Sequence, residues 1–194
     1  MNNILNIANC DFTKFENNTI IAVDTNVLLC MFYEKVVFSN EKSLKLYQTA
    51  LEKFAENNDK IKLITTTINI NEAFHVIEKT EFDIYLDSIT DKNFTIKDYR
   101  LLPEKRAKLK KEYKFFWQQV CRYMRVCEYN MTKNFIREFY NNADVFRYDC
   151  LDAALVDYCK QNNVTKILTD DSDYFGYDNE IEILTANPKM SLYN

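Results

Sequence analysis

Apolar positions along the chain form short unbroken runs, separated by longer stretches with helical spacing. Residues 20–23 (IIAV) are apolar and mostly β-branched, which predicts a central strand. Residues 61–68 (IKLITTTI), 165–169 (TKILT) and 181–185 (IEILT) predict three more. Between them, residues 42–56 carry Leu44, Tyr47, Ala50, Leu51 and Phe54 at helical spacing. INEAFHVIEK (70–79) predicts a helix capped by Asn69 or Asn71. A long, mainly helical stretch covers about 97–142. Its part 104–128 places Leu109, Tyr113, Phe116, Val120, Met124 and Cys127 on one stripe. A last helix covers about 149–161. Strands alternating with helices predict an α/β fold: a three-layer α/β/α domain around a mainly parallel sheet of about four or five strands. Sites in such sheets form at the carboxyl ends of the strands.

The acids fall at those ends. Asp24 interrupts the apolar segment IIAVDTNVLL, just past the first predicted strand. A carboxylate is costly to bury unless something pairs with it. Asp170 and Asp171 follow the strand KILT, and Glu72 lies in the first turn of the helix after the second strand. Asp149 and Asp152 open the last helix three residues apart, so they share a face. Carboxylates from four distant segments would then meet at one rim. Their mutual repulsion is relieved by a divalent cation, and carboxylate oxygens suit Mg²⁺ or Mn²⁺. Each acid also has a structural reading. Asp24 suits a turn, Asp149 an N-cap, Glu72 a helix dipole, and the DDSD run a surface turn.

Composition narrows the chemistry. The 194 residues suffice for one domain (1–194), with residues 1–19 as an N-terminal extension. The single glycine, Gly176, excludes a P-loop or a Rossmann phosphate loop. The single histidine, His75, excludes a multi-histidine zinc site and reads as structural. Six cysteines without a CxxC pair read as reduced thiols of a cytoplasmic protein. Neither a signal peptide nor a membrane span is expected.

These residues resemble the PIN-domain nuclease family. AVDTNVLL resembles its opening strand with the first acid followed by Thr and Asn. TTTINI-NEAFHVIEK resembles its second strand and the helix bearing the family's glutamate. LDAALVDYCKQNNVTKILTDDSDYF resembles its closing unit. The match covers about 20–33, 61–79 and 148–185, and the chain is longer than the VapC-type ribonucleases it resembles. The resemblance implies Asp24, Glu72, Asp152 and Asp171 as metal-coordinating catalytic acids and Asp173 as a more variable fifth. It implies Thr25, Asn26 and Thr169 as supporting residues. Asp170 need not bind metal. Asp149 remains an alternative to Asp152, which fits the motif register better. The implied activity is Mg²⁺- or Mn²⁺-dependent hydrolysis of RNA. The implied setting is the toxin of a toxin–antitoxin pair, with an antitoxin protein and a homodimer as partners.

A basic segment supplies the substrate side. Residues 97–125 carry ten basic and three acidic residues, a net +7 in a chain of net charge −4. Lys105, Arg106, Lys108, Lys110 and Lys111 are candidate RNA contacts, or else a solvated face. The interleaved aromatics, Tyr99, Tyr113, Phe115, Phe116, Trp117 and Tyr123, read first as core. Two rival functions stand beside the nuclease. One is a catalytically silent PIN-like module that binds RNA or protein. The other is a phosphatase or receiver site at a sheet rim. Asn26 occupies the second-acid position that a dehalogenase-type phosphatase needs, and the paired acids of a receiver are absent.

Overall fold

The computed structural model describes residues 4–35, 41–91, 93–144, 149–174 and 181–190. Among the described residues, six strands form one parallel sheet: β1 (Ile4–Asn6), β2 (Thr19–Val23), β3 (Ile61–Thr66), β4 (Arg125–Cys127), β5 (Lys166–Leu168) and β6 (Glu182–Thr185). Their order is β1-β6-β5-β2-β3-β4. Seven α-helices among the described residues flank it: α1 (Thr25–Phe32), α2 (Glu41–Glu56), α3 (Thr67–Asp87), α4 (Ile96–Leu101), α5 (Pro103–Tyr123), α6 (Lys133–Asn141) and α7 (Cys150–Gln161).

The unbroken apolar runs follow from burial on both faces of the sheet. Ile21 and Val23 of β2 enter the core formed with α1, α2, α3 and α5. Ala22, between them, enters the second core, formed largely with α7. The chain leaves β2 toward β3 on one side, and β5 returns on the other. The strand order therefore reverses beside β2, where open α/β sheets form their crevice.

Two strands escape the sequence pattern. β1 lies inside the expected N-terminal extension and pairs with β6, Ile4 opposite Ile183. β4 ends the stripe expected over 104–128. The helix stops at Tyr123, and Met124 is extended (φ −148°, ψ 161°). Arg125 and Cys127 then pair with Ile64 and Thr66. Three residues are too few to show a period of two, and pairing with β3 overrides the helical spacing. The cap of α3 also differs: it is Thr66, not Asn69 or Asn71. Thr66 Oγ1 accepts from the Asn69 N–H at 3.4 Å.

The helical middle section is fixed to the domain by ion pairs. Glu78 of α3 holds Arg100 through both of its oxygens. Glu81, buried on the same helix, accepts from the Tyr33 hydroxyl at 3.0 Å and from Lys35 at 2.5 Å. Lys108 Nζ stands 2.7 Å from its second oxygen. All six cysteines are free, and Cys10, Cys30, Cys127 and Cys159 are buried. Among the described residues, no helix is long and apolar enough to cross a membrane. Gly176 and the end of the third motif block, 175–180, lie outside the described residues.

Candidate active site

The site is built where β2 and β5 end side by side. Val23 pairs with Leu168, and the Asp24 N–H extends the ladder by donating to the Leu168 carbonyl at 3.0 Å. Asp24 is the N-cap of α1 and is 3% exposed, so burial would leave its carboxylate without water. Two donors replace that water. The Thr25 N–H donates to Oδ1 at 2.7 Å, and the Thr169 hydroxyl donates to Oδ2 at 2.7 Å.

Glu72 reaches the same place from α3. Because the helix begins at Thr67, Glu72 sits in its second turn rather than its first. Its Oε2 accepts from the Thr25 hydroxyl at 2.5 Å. That hydroxyl in turn accepts from buried Asn69 Nδ2 at 3.0 Å. Thr25 thus ties the first acid to the second, its N–H on Asp24 and its side chain on Glu72.

Asp149 and Asp152 form a reciprocal cap at the start of α7. Asp149 Oδ1 accepts from the N–H groups of Leu151 and Asp152, and the Asp149 N–H donates to Asp152 Oδ2 at 3.4 Å. Asp152 Oδ1 accepts from the Tyr174 hydroxyl at 3.0 Å. Asp149 is exposed, whereas Asp152 is partly buried and points inward. Asp171, partly buried, donates its N–H to Thr169 Oγ1 at 3.0 Å. Asp173 is exposed and meets the group through its N–H, which donates to Asp171 Oδ1 at 2.8 Å. Asp170 faces away from the others, and its carboxylate accepts from the Tyr47 hydroxyl at 2.8 Å.

Electrostatics unite these acids. Burial, then the charge of Asp152, pushes the Asp24 carboxyl well above the usual range; the Thr169 hydroxyl opposes this and Glu72 adds to it. Burial and the charge of Asp149 raise Asp152 to about 7, against the Tyr174 hydrogen bond, with Asp171 adding. Burial raises Glu72, against the Thr25 hydrogen bond, with Asp149 and Asp171 adding. The charges of neighbouring carboxylates thus raise all three: Asp152 and Glu72 act on Asp24, and Asp149 and Asp171 act on both Asp152 and Glu72. Among the described residues, no group of three or more His, Cys, Asp or Glu side chains is close enough to hold one ion. Hydroxyl and N–H donors engage both oxygens of Asp24 and Asp152, Oε2 of Glu72 and Oδ1 of Asp171. The chemistry of the donor set, carboxylate oxygens backed by threonine hydroxyls, nonetheless fits a hard divalent cation.

Supporting residues act through hydrogen bonds to the threonine and the turn beside the acids. Asn26 Nδ2 donates to Thr169 Oγ1 at 3.3 Å, and its Oδ1 accepts from the Asp170 N–H at 3.2 Å. Sequence reasoning overlooked Tyr174 and underused Asn69. Tyr174 is the aromatic of the TDDSDY block, where its position after the acids was the available signal. His75 is exposed. A cavity of about 940 Å³ lies between the C-terminal halves of α2 and α5, and none of the acids lines it. Comparison of the chain with protein-family models gives no match, and neither does comparison with curated proteins.

Proposed function

We propose that the protein is a metal-dependent endoribonuclease that hydrolyses RNA phosphodiester bonds, acting in the cytoplasm. The observation that carries this reading is the burial of Asp24 at the switch point of the sheet, held by the Thr25 and Thr169 donors and tied through Thr25 to Glu72. Burial and the charges of Asp152 and Glu72 push its carboxyl up, the strain a bound cation would relieve. The three-block resemblance to PIN nucleases supports the same reading, and adds the toxin of a toxin–antitoxin pair as its biological setting.

Asp24, Glu72, Asp152 and Asp171 would hold Mg²⁺ or Mn²⁺. When bound, such an ion supplies an activated water and offsets charge on the scissile phosphate. The chain's own residues set the stage. Thr25 and Thr169 orient the carboxylate of Asp24, and Thr25 also fixes Glu72. Tyr174 fixes Asp152, and Asn26 steadies Thr169 and the turn at Asp170. Their hydrogen bonds keep acids in place that repulsion would otherwise push apart.

The test is cleavage of single-stranded RNA by purified protein in Mn²⁺, in Mg²⁺ and in EDTA. Wild type should cut with either metal and not in EDTA. Asp24→Asn and Asp171→Asn should each lose at least about 100-fold. A silent binding module predicts instead that calorimetry finds no divalent site, and that no RNA is cut.

A further inference from the structure

The outer face of α5 carries two large apolar side chains that the core does not use. The core-facing positions of this helix are Leu109, Phe116 and Val120, all buried. Tyr113 joins them by stacking on Phe74 with ring centroids 4.4 Å apart. Phe115 and Trp117, in contrast, are 55% and 41% exposed. Lys110, Lys111, Lys114 and Arg122 are exposed on the same helix. Helical spacing sets Lys111 beside Phe115 (i, i+4) and Lys114 beside Trp117 (i, i+3). The acids of α5 leave this charge in place: Glu112 is held by Lys35 at 2.5 Å, and Glu104 lies in the first turn. Two other lysines of the helix are already engaged. Lys108 pairs with Glu81, and Lys105 sits over the Tyr85 ring at 4.2 Å.

We propose that the solvent side of α5 holds an unpaired RNA strand that crosses the helix, with bases stacked on Phe115 at one flank and Trp117 at the other and phosphates on Lys110, Lys111, Lys114 and Arg122. Rings interleaved with cations match a ligand that alternates flat bases with anions. A helix lying in a membrane surface needs a continuous apolar stripe. Here the two rings are two residues apart on diverging sides, with lysines between. A second copy docking by two-fold symmetry would set this cationic face against itself. The proposal rests on the nuclease reading for where the strand leads, while binding itself is separable from cleavage.

Trp117 is the single tryptophan of the chain, so its emission reports the platform directly. Titration of the full chain with oligo-uridylate of about 12 nucleotides, in EDTA, should quench that emission, and a duplex of equal length should not. By anisotropy with a labelled strand, Phe115→Ala/Trp117→Ala should weaken binding about tenfold or more. Lys110→Gln/Lys111→Gln/Lys114→Gln should lower the salt slope by about 2. Both ring positions are exposed, so alanine there should leave the fold intact, which circular dichroism checks. Unchanged affinity in the ring variant, or unmoved emission at saturation, would overturn the platform. So would quenching by phosphatidylglycerol vesicles but not by RNA, or a halved sedimentation mass in Trp117→Ala. If no metal or RNA yields cleavage but the ring variant still weakens binding, the nuclease reading fails and the platform stands. If cleavage depends on Asp24 and the ring variant binds and cuts like wild type, the reverse holds.

Discussion

The Thr169 hydroxyl donates to Asp24 Oδ2 at 2.7 Å, joining residues 145 positions apart at the ends of neighbouring strands. The same oxygen accepts from Asn26 Nδ2 and from the Asp171 N–H, so one hydroxyl links three parts of the site. Thr169→Val keeps the shape and removes all three contacts. Asp24 then loses the donor that most opposes its raised pKa. Divalent affinity by calorimetry and RNA cleavage should both fall, about 10- to 100-fold, with the melting curve still cooperative.

A carboxyl with a raised folded-state pKa stabilises the fold least where it must ionise. Asp24, Glu72 and Asp152 are all raised, Asp152 to about 7. Below the ordinary carboxylate range both states are protonated and nothing is lost. As pH climbs through the folded values, the unfolded chain ionises first and stability drains away. For Asp152 the loss amounts to about 4 kcal/mol at most by pH 8, less what solvent screens. The metal-free protein should therefore melt lower at pH 8 than at pH 5. Asp24→Asn should raise the pH 8 melting point in EDTA and flatten the slope. Mn²⁺ should stabilise wild type at pH 8 more than this variant, as thermal scans would show.

Tyr174 acts on Asp152 through a single hydrogen bond of 3.0 Å from a buried phenol. That bond lowers the Asp152 carboxyl against burial and Asp149. Tyr174→Phe fills the same volume and lets the carboxyl rise further. The acid limb of the pH–rate profile should move to higher pH, with the plateau reduced less than the activity at pH 6. An unmoved limb would mean that Asp152 is not the group titrating there.

Most of the fold was legible because both sheet faces are covered. Burial on both faces makes β2, β3, β5 and β6 read as short, mainly apolar or β-branched runs, and makes Asp24 after β2 and the Asp170–Asp171 pair after β5 stand out. β1 and β4 were not legible, since three-residue edge strands owe their existence to partners far along the chain. Asp24, Asp170 and Asp171 stood out at strand ends and Glu72, Asp149 and Asp152 at helix starts, whereas their supports were only partly legible. Thr25, Asn26 and Thr169 adjoin the acids in sequence. Asn69 lies three residues before Glu72, but its contact with Thr25 spans 44 positions and depends on how α3 packs against α1. The aromatics of 97–125 divide. Tyr99 and Phe116 are core as expected, while Phe115 and Trp117 are exposed, a distinction set by the rotation of α5 against α3.

The buried Glu81 gives the middle section its sharpest test. Burial raises its carboxyl, yet the ammonium of Lys108, 2.7 Å from one oxygen, and the hydrogen bonds from Lys35 and Tyr33 to the other together outweigh that and hold it below the ordinary range. Its side chain is 0% exposed, whereas Lys35 and Lys108 are 38% and 49% exposed. The two ends of this network therefore respond unequally to mutation. Glu81→Gln keeps a polar partner for Tyr33, and the two lysines can turn to water, so it should cost about 1–2 kcal/mol. Lys35→Met/Lys108→Met strands a buried carboxylate and should cost about 3–5 kcal/mol near pH 7. With its folded value depressed, Glu81 contributes stability above the ordinary carboxylate range, and that contribution is lost as pH falls through the folded value. The gap between wild type and the double lysine variant in urea denaturation should then narrow on acidification toward about pH 4, where the carboxyl protonates without its partners.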